Sequence, residues 1–149
     1  MSEPPHLNGS FDGASTVEVR TSASAALIPT LRMIAADLAA RADFDLDAIS
    51  DLRMAVDEVC ATLVDVAAPS SPLRCVFQVR PERIQVDAEV QPAQADTVVS
   101  TDTFGWRVLQ TLADEVEVRH EAGIDGNRAT VGIRLNKRPG MFGSDGQGR

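Results

Sequence analysis

The stretch from Leu46 to Val66 constrains the fold of this chain more than any other. Its apolar residues recur every three or four positions, which places them along one face of a long helix. They are Ile49, Leu52, Val56, Val59, Leu63 and Val66. Glu58 and Thr62 lie four positions apart on another face, so their side chains are expected on neighbouring turns. A carboxylate held beside a hydroxyl either lines a pocket or belongs to an ordinary solvated face.

The composition bounds the class of protein. With 149 residues and 44% hydrophobic residues, one globular domain is expected. We place it at residues 16–137, with a flexible leader at 1–15 and a flexible tail at 138–149. No apolar run is long enough to cross a bilayer and the amino terminus does not read as a secretory signal, so no membrane association is expected. Cys60 and Cys75 are predicted to be buried thiols, which favours a cytoplasmic protein.

The formal net charge is −8. An acidic surface repels phosphate backbones, so direct binding to nucleic acid is not expected. The same surface favours a basic protein partner.

Hydrophobic periodicity and turn residues predict the order β-α-α-β-β-α-β-β. The predicted elements are a strand at 16–20, helices from Pro29 to about 42 and at 46–66, a hairpin at 73–80 and 83–90, a helix opening at 103–106, and a hairpin at 115–121 and 128–135 around the turn 124–127. Such an order is typical of an α+β fold. We expect a two-layer sandwich, with a mostly antiparallel mixed sheet and the helices on one face.

Several stretches together resemble a known family. They are Leu31-Arg32, Ala42-Asp43-Phe44, residues 48–53, Ala55-Val56-Asp57-Glu58, Phe104-Gly105-Trp106 and residues 112–118. Across roughly 16–137 the chain resembles the RsbW-type anti-sigma factors, which are serine-protein kinases of the histidine-kinase-like (GHKL) ATPase superfamily. It is particularly similar to the divergent actinobacterial branch that restrains a stress-response sigma factor. The resemblance implies the Bergerat-type ATPase fold.

The resemblance also implies a nucleotide site that uses ATP and magnesium. Glu58 falls on the family's catalytic general base, and Thr62 falls on the asparagine that ligates magnesium. Gly105 is what remains of the glycine box that cradles the phosphates. The family's DxGxG motif is missing, because no glycine occurs between Pro81 and Phe104. Phosphoryl transfer depends on well-positioned metal and phosphates, so nucleotide binding is expected to be weak or lost and kinase activity inefficient.

Of three other residues, Arg32 and Trp106 have two interpretations each and Arg53 has one. Arg32 matches an arginine on the family's partner-docking face, although a lone arginine is also often simply solvated. Trp106 either anchors a partner or packs in the core, and core packing is favoured. Arg53 lies four residues before Asp57, which predicts a weak surface ion pair.

Three functions are compatible with these residues. The first is an anti-sigma factor, a homodimer that sequesters an alternative sigma factor and is countered by an anti-anti-sigma protein. The second is an active serine kinase that phosphorylates the anti-anti-sigma protein. The third is a redox or ligand sensor, whose sole support is the pair Cys60 and Cys75.

Overall fold

The computed structural model describes residues 14–123 and 128–140. Five strands form one sheet in the order β1-β2-β3-β5-β4. The elements are β1 (Ser15–Ser22), α1 (Ile28–Arg41), α2 (Leu46–Val66), β2 (Pro72–Arg80), β3 (Arg83–Val90), α3 (Phe104–Leu112), β4 (Glu115–Glu121) and β5 (Thr130–Lys137). The element order is the predicted one, and the α+β fold class is confirmed.

The helix α2 begins and ends where its pattern predicts. Asp45 is its N-cap, and the Asp45 carboxylate accepts a hydrogen bond of 2.8 Å from the Ala48 amide. This bond satisfies one of the free amides of the first turn. The chain turns extended at Ala67, which ends the helix.

The predicted start of α1, at Pro29, lies one residue after the observed start at Ile28. Ser24 caps a short 3₁₀ turn, Ala25–Leu27, by accepting a hydrogen bond from the Ala26 amide. The α-helix follows with Pro29 in its first turn, where the missing amide hydrogen costs nothing.

All four strand pairings in the described residues are antiparallel, so the expectation of a mixed sheet is wrong for this part of the chain. The predicted bounds of β3 and β4 are confirmed, but β5 lies two residues further along than 128–135. The predicted turn at 124–127 lies outside the described residues.

The helices pack on one face of the sheet, and α2 is the central helix, in contact with α1, α3 and two strands. Alternate strand residues face this layer and form the core with the apolar faces of the helices. The largest fully buried side chains are Phe77, Leu31, Leu52, Leu63, Leu73, Ile84, Leu109, Ile133 and Leu135. The other face of the sheet has no layer over it among the described residues. No helix in the described part of the chain is long and apolar enough to cross a membrane.

The residues after β5 fasten the sheet to the start of α2. The Asp45 amide donates a hydrogen bond of 3.0 Å to the Pro139 carbonyl, and Gly140, with φ of 100°, lies against the Asp45 carboxylate. A side chain at Gly140 would overlap that carboxylate. Residues 1–13 and 141–149 lie outside the described residues, so the predictions of a flexible leader and tail stay predictions there.

Candidate functional site

The structure brings Glu58, Thr62 and Gly105 together. The Thr62 hydroxyl donates a hydrogen bond of 3.3 Å to Glu58 Oε2, one turn earlier on α2. The same oxygen lies directly against Gly105 in the first turn of α3, and a Cβ built on Gly105 would overlap it. Both α2 side chains are half-buried. The carboxylate therefore fills the space that the missing side chain of Gly105 leaves open.

This contact places a negative charge at the amino end of α3. Thr103 is the N-cap of α3, and its hydroxyl accepts a hydrogen bond of 3.1 Å from the Trp106 amide. Unpaired amides of a first helical turn and the helix dipole both favour an anion there. The carboxylate of Glu58 is such an anion, supplied by the chain itself.

The end of α2 is joined to the segment after β3 by backbone hydrogen bonds. Ala67 and Pro92 form an isolated antiparallel bridge. The Ala68 amide donates to the Gln91 carbonyl at 2.8 Å, and the Ala93 amide donates to the Val66 carbonyl at 2.9 Å. This segment occupies the position where the resemblance expects a DxGxG motif. Its backbone is bonded to α2 and not left open.

Arg32 is engaged inside the helix layer. Its guanidinium donates a hydrogen bond of 3.0 Å to Asp57 Oδ2, and about a third of each side chain is exposed. The other carboxylate oxygen, Oδ1 of Asp57, is buried and has no hydrogen-bond partner among the described residues. The predicted pairing of Asp57 with Arg53 is therefore wrong, because the arginine on α1 takes its place. Arg53 is exposed.

Asp51, nearly two turns before Asp57 on α2, is also paired. Lys137 Nζ donates to Asp51 Oδ2 at 3.2 Å and to the Leu112 carbonyl at the end of α3 at 2.9 Å. One ammonium thus links α2, α3 and β5. The alternation of β5 places Lys137 on the inward face, but sequence reasoning did not identify it.

The aromatic residues beside Gly105 point in opposite directions. Trp106 is buried, which confirms the prediction of core packing. Phe104 is 82% exposed at the first position of α3. This exposure could not be predicted from the helix pattern, because the pattern begins at Phe104 itself.

Cys60 and Cys75 are free thiols and fully buried, as predicted. The hydrogen bond to the Cys75 thiol, together with burial, raises the pKa of Cys60 well above its usual range. The described residues contain no cluster of three or more His, Cys, Asp or Glu side chains that could hold a metal ion. Thr62, the predicted magnesium ligand, has its hydroxyl directed at Glu58.

Comparison with known proteins decides the family. Residues 21–133 match the histidine kinase-like ATPase domain. The chain belongs to this family. It is also similar to two curated proteins named Anti-sigma-F factor RsbW, from the CDC 1551 / Oshkosh and H37Rv strains of Mycobacterium tuberculosis. Each is 38% identical over 111 residues, which are 73% of this chain and 64% of the relative.

These matches confirm the resemblance on which the site residues were predicted. The chain covers less than two thirds of the length of the curated relatives. The α2 elements of the predicted site, Glu58 and Thr62, meet Gly105 in space. Arg32 lies on the α1 side of α2, paired with Asp57 and separate from that group.

Proposed function

We propose that this protein is an anti-sigma factor that sequesters an alternative, stress-response sigma factor. The observation that carries the proposal is the similarity to the mycobacterial anti-sigma-F factors, which extends over 111 residues. The net charge of −8 supports a partner whose DNA-reading surfaces are basic. Such a protein acts in the cytoplasm, where it keeps the sigma factor from RNA polymerase.

We further propose that the nucleotide site is degenerate and that sequestration does not depend on ATP. Glu58 supports this, because its carboxylate fills the space at the amino end of α3 where a phosphate would bind. A phosphate in that position would meet a like charge at close range. The backbone hydrogen bonds from Ala68 to Gln91 and from Ala93 to Val66 also close the region where the family's glycines would admit a base. As arranged, these residues do not fit a nucleoside triphosphate with its magnesium ion.

Release of the sigma factor is proposed to come from an anti-anti-sigma protein that competes for an overlapping surface. Each partner then lowers the apparent affinity for the other, as linkage requires of mutually exclusive complexes. Arg32 is a candidate contact on that surface. Asp57 accepts from one guanidinium nitrogen of Arg32, so the remaining N–H groups of this one-third-exposed side chain are available to a carboxylate of a partner. We also propose that the protein acts as a homodimer.

A binding experiment tests the main proposal. The purified protein is mixed with each alternative sigma factor of its source organism and analysed by size-exclusion chromatography, and the affinity is then measured by calorimetry. We expect a stable complex with one of them. Its affinity should change less than about threefold when ATP and magnesium are added. The absence of a complex with every sigma factor would refute the anti-sigma role, and strict dependence on ATP would refute the degenerate site.

An active serine kinase is the second candidate, and the convergence of Glu58, Thr62 and Gly105 is the observation in its favour. Incubation with ATP, magnesium and an anti-anti-sigma protein distinguishes the two. Phosphoserine that forms in the native protein and is absent with Glu58→Gln would establish the kinase. A positioned general base contributes roughly 10²–10⁴ in rate, so the loss would be easily measured.

The burial of both thiols and the raised pKa of Cys60 argue against the redox sensor, since the thiolate is the form that peroxides and disulfides attack.

A further inference from the structure

We propose that the exposed side chain of Phe104 is the anchor of a docking surface for a basic face of the sigma factor. The surface consists of Phe104, Val98 and the acidic residues Glu58, Asp96 and Asp102, and we call it the Phe104 surface. The inference rests on the proposed anti-sigma role and identifies a contact region on the α3 side of α2. It therefore differs from the Arg32 region, which lies on the α1 side.

Two large apolar side chains are exposed at and before the start of α3. Phe104, the first residue of α3, is 82% exposed, and Val98, on the connection that leads from β3 to α3, is 71% exposed. Moving a phenylalanine side chain from water into an apolar site is favourable, so an exposed one is a strong candidate for burial by a partner. Aromatic side chains are also enriched at protein interfaces.

The backbone of the Phe104 surface is held in place by its buried neighbours and by the start of α3. Val99, which follows Val98, and Trp106, two residues after Phe104, are both buried in the core. Thr103 caps α3 directly before Phe104, and Gly105 directly after it is in contact with Glu58. The backbone that carries Phe104 is therefore fixed from both sides. Preorganised anchors lose little conformational entropy on binding.

The Phe104 surface carries an excess of negative charge. The connection 91–103 contains two aspartates and no basic residue, and α2 contains five acidic residues against one arginine. Two of the five, Asp51 and Asp57, are paired with Lys137 and Arg32. Glu58 forms no ion pair with a lysine or arginine of the described part of the chain. Its carboxylate accepts a hydrogen bond from the Thr62 hydroxyl. The rim of the Phe104 surface is therefore acidic.

The acidic rim identifies the occupant. Asp96 and Asp102 are exposed, and the nearest cation to Asp102 is Arg107 at 4.0 Å, an exposed pair of little energetic value. A second copy of this chain would meet the rim with its own excess of negative charge, and a nucleotide would meet it with its phosphates. A basic protein surface with an apolar recess would bind favourably, because the recess buries Phe104 and the basic residues pair with the acidic rim. The sigma factor is the proposed partner that has such surfaces.

Truncation of the anchor tests the proposal. The affinity of Phe104→Ala for the sigma factor that binds the native protein is measured by calorimetry, beside the matched control Leu46→Ala. Leu46 is 83% exposed at the first position of α2, twelve residues before Glu58, which is roughly 18 Å along the helix. We expect Phe104→Ala to weaken binding by at least about tenfold and Leu46→Ala by less than about threefold. Circular dichroism and thermal unfolding verify that both variants fold.

A charge variant tests the rim. Asp96→Asn combined with Asp102→Asn should weaken binding at low salt and reduce the salt dependence of the affinity. Equal affinities of Phe104→Ala and Leu46→Ala would overturn the inference and leave the anti-sigma role standing. If Phe104→Ala weakened binding of the anti-anti-sigma protein alone, the inference would also be wrong. If no sigma factor bound the native protein, the anti-sigma role itself would fail, and this inference with it.

Discussion

Cys60 on α2 and Cys75 on β2 form a pair of adjacent thiols inside the core. The sequence predicted their burial from periodicity alone, but not their adjacency, which depends on how α2 crosses the sheet. The hydrogen bond between the thiols and their removal from water both stabilise the protonated form of Cys60. A thiol of this kind is a packing residue and not a nucleophile.

The raised pKa of Cys60 predicts a loss of stability at alkaline pH. In the unfolded chain a thiol releases its proton near pH 8.5, whereas the folded protein retains it. Above that pH the unfolded state binds fewer protons than the folded state, so the free energy of unfolding falls as pH rises, by at most about 1.4 kcal/mol per pH unit for this group. Urea unfolding at pH 7.5, 8.5 and 9.5 measures the slope. The chain has no tyrosine and a single lysine, Lys137, which keeps the background titration small.

Cys60→Ala is the control for this prediction. It is less stable at every pH because it leaves a small cavity, but its stability should fall less steeply above pH 8.5. Equal slopes for the native protein and Cys60→Ala would show that Cys60 does not carry the effect.

The candidate site shows which contacts a sequence can reveal. The proximity of Glu58 and Thr62 followed from their spacing of four on one helix. The contact between Glu58 and Gly105 could not be predicted, because it joins elements that are distant in the chain and depends on the packing of α3 against α2. Asp57 is the opposite case. The local rule favoured Arg53, but Asp57 lies on the side of α2 that faces α1, where Arg32 reaches it.

At the scale of elements, the predicted ends of α2 and β4 are correct, whereas β5 was predicted two residues too early in the chain. Asp45 marks the start of α2 through its cap, which a sequence displays directly. The predicted β5 ended at Leu135, directly before the polar residues Asn136 and Lys137. The strand continues through them, since Lys137 occupies an inward position and its ammonium finds Asp51 and the Leu112 carbonyl.

Substitution of Lys137 tests whether its ammonium stabilises the packing of α2, α3 and β5. Its side chain is 13% exposed, and its ammonium also neutralises the carboxyl end of α3. Lys137→Met retains the length of the side chain and removes both hydrogen bonds. We expect the free energy of unfolding in urea to fall by about 1–2 kcal/mol, since hydrogen bonds of charged groups contribute on that order.

Arg138→Met is the matched control, because Arg138 is the next residue and its side chain is 70% exposed. It should change stability by less than about 0.5 kcal/mol. A Lys137→Met protein as stable as Arg138→Met would mean that the linkage of α2, α3 and β5 does not depend on this ammonium.

At the scale of the whole molecule, charge is divided between the two sides. The helix side carries the acidic α2 and the Phe104 surface, whereas the open face of the sheet is electrically balanced. By strand alternation this face presents six arginines and six acidic residues: Arg20, Arg74, Arg80, Arg83, Arg119 and Arg134 with Glu18, Asp87, Glu89, Glu115, Glu117 and Glu121. Several are paired within the face. Arg134 bonds Asp87 at 2.9 Å, and Arg74 bonds Glu18, which lowers the pKa of Glu18.

This balance makes the open face the best candidate for the proposed homodimer. Two acidic chains repel each other least where each presents no net charge, and a symmetric interface needs a self-complementary surface. Five strands about 4.8 Å apart and about eight residues long cover roughly 600 Å² per copy, or about 1,200 Å² in a dimer, at the lower end for a stable interface. The centre of the face holds a cavity of about 260 Å³ beside Val76 and Gly132.

A charge placed at this centre should separate the dimer. Val76 lies between Glu18 and Asp87 on the neighbouring strands, so Val76→Glu places three acidic side chains side by side on β1, β2 and β3. We expect sedimentation velocity to give a dimer for the native protein and a monomer for Val76→Glu, because the new carboxylates would face each other across the twofold axis. Met33→Glu is the control, since Met33 is 64% exposed on α1, on the helix side of the molecule. If Val76→Glu remained dimeric, the dimer would not form through the centre of the open face. If Met33→Glu dissociated equally, the helix layer would contribute to the dimer, and the dimer would then compete with the sigma factor for the same side of the protein.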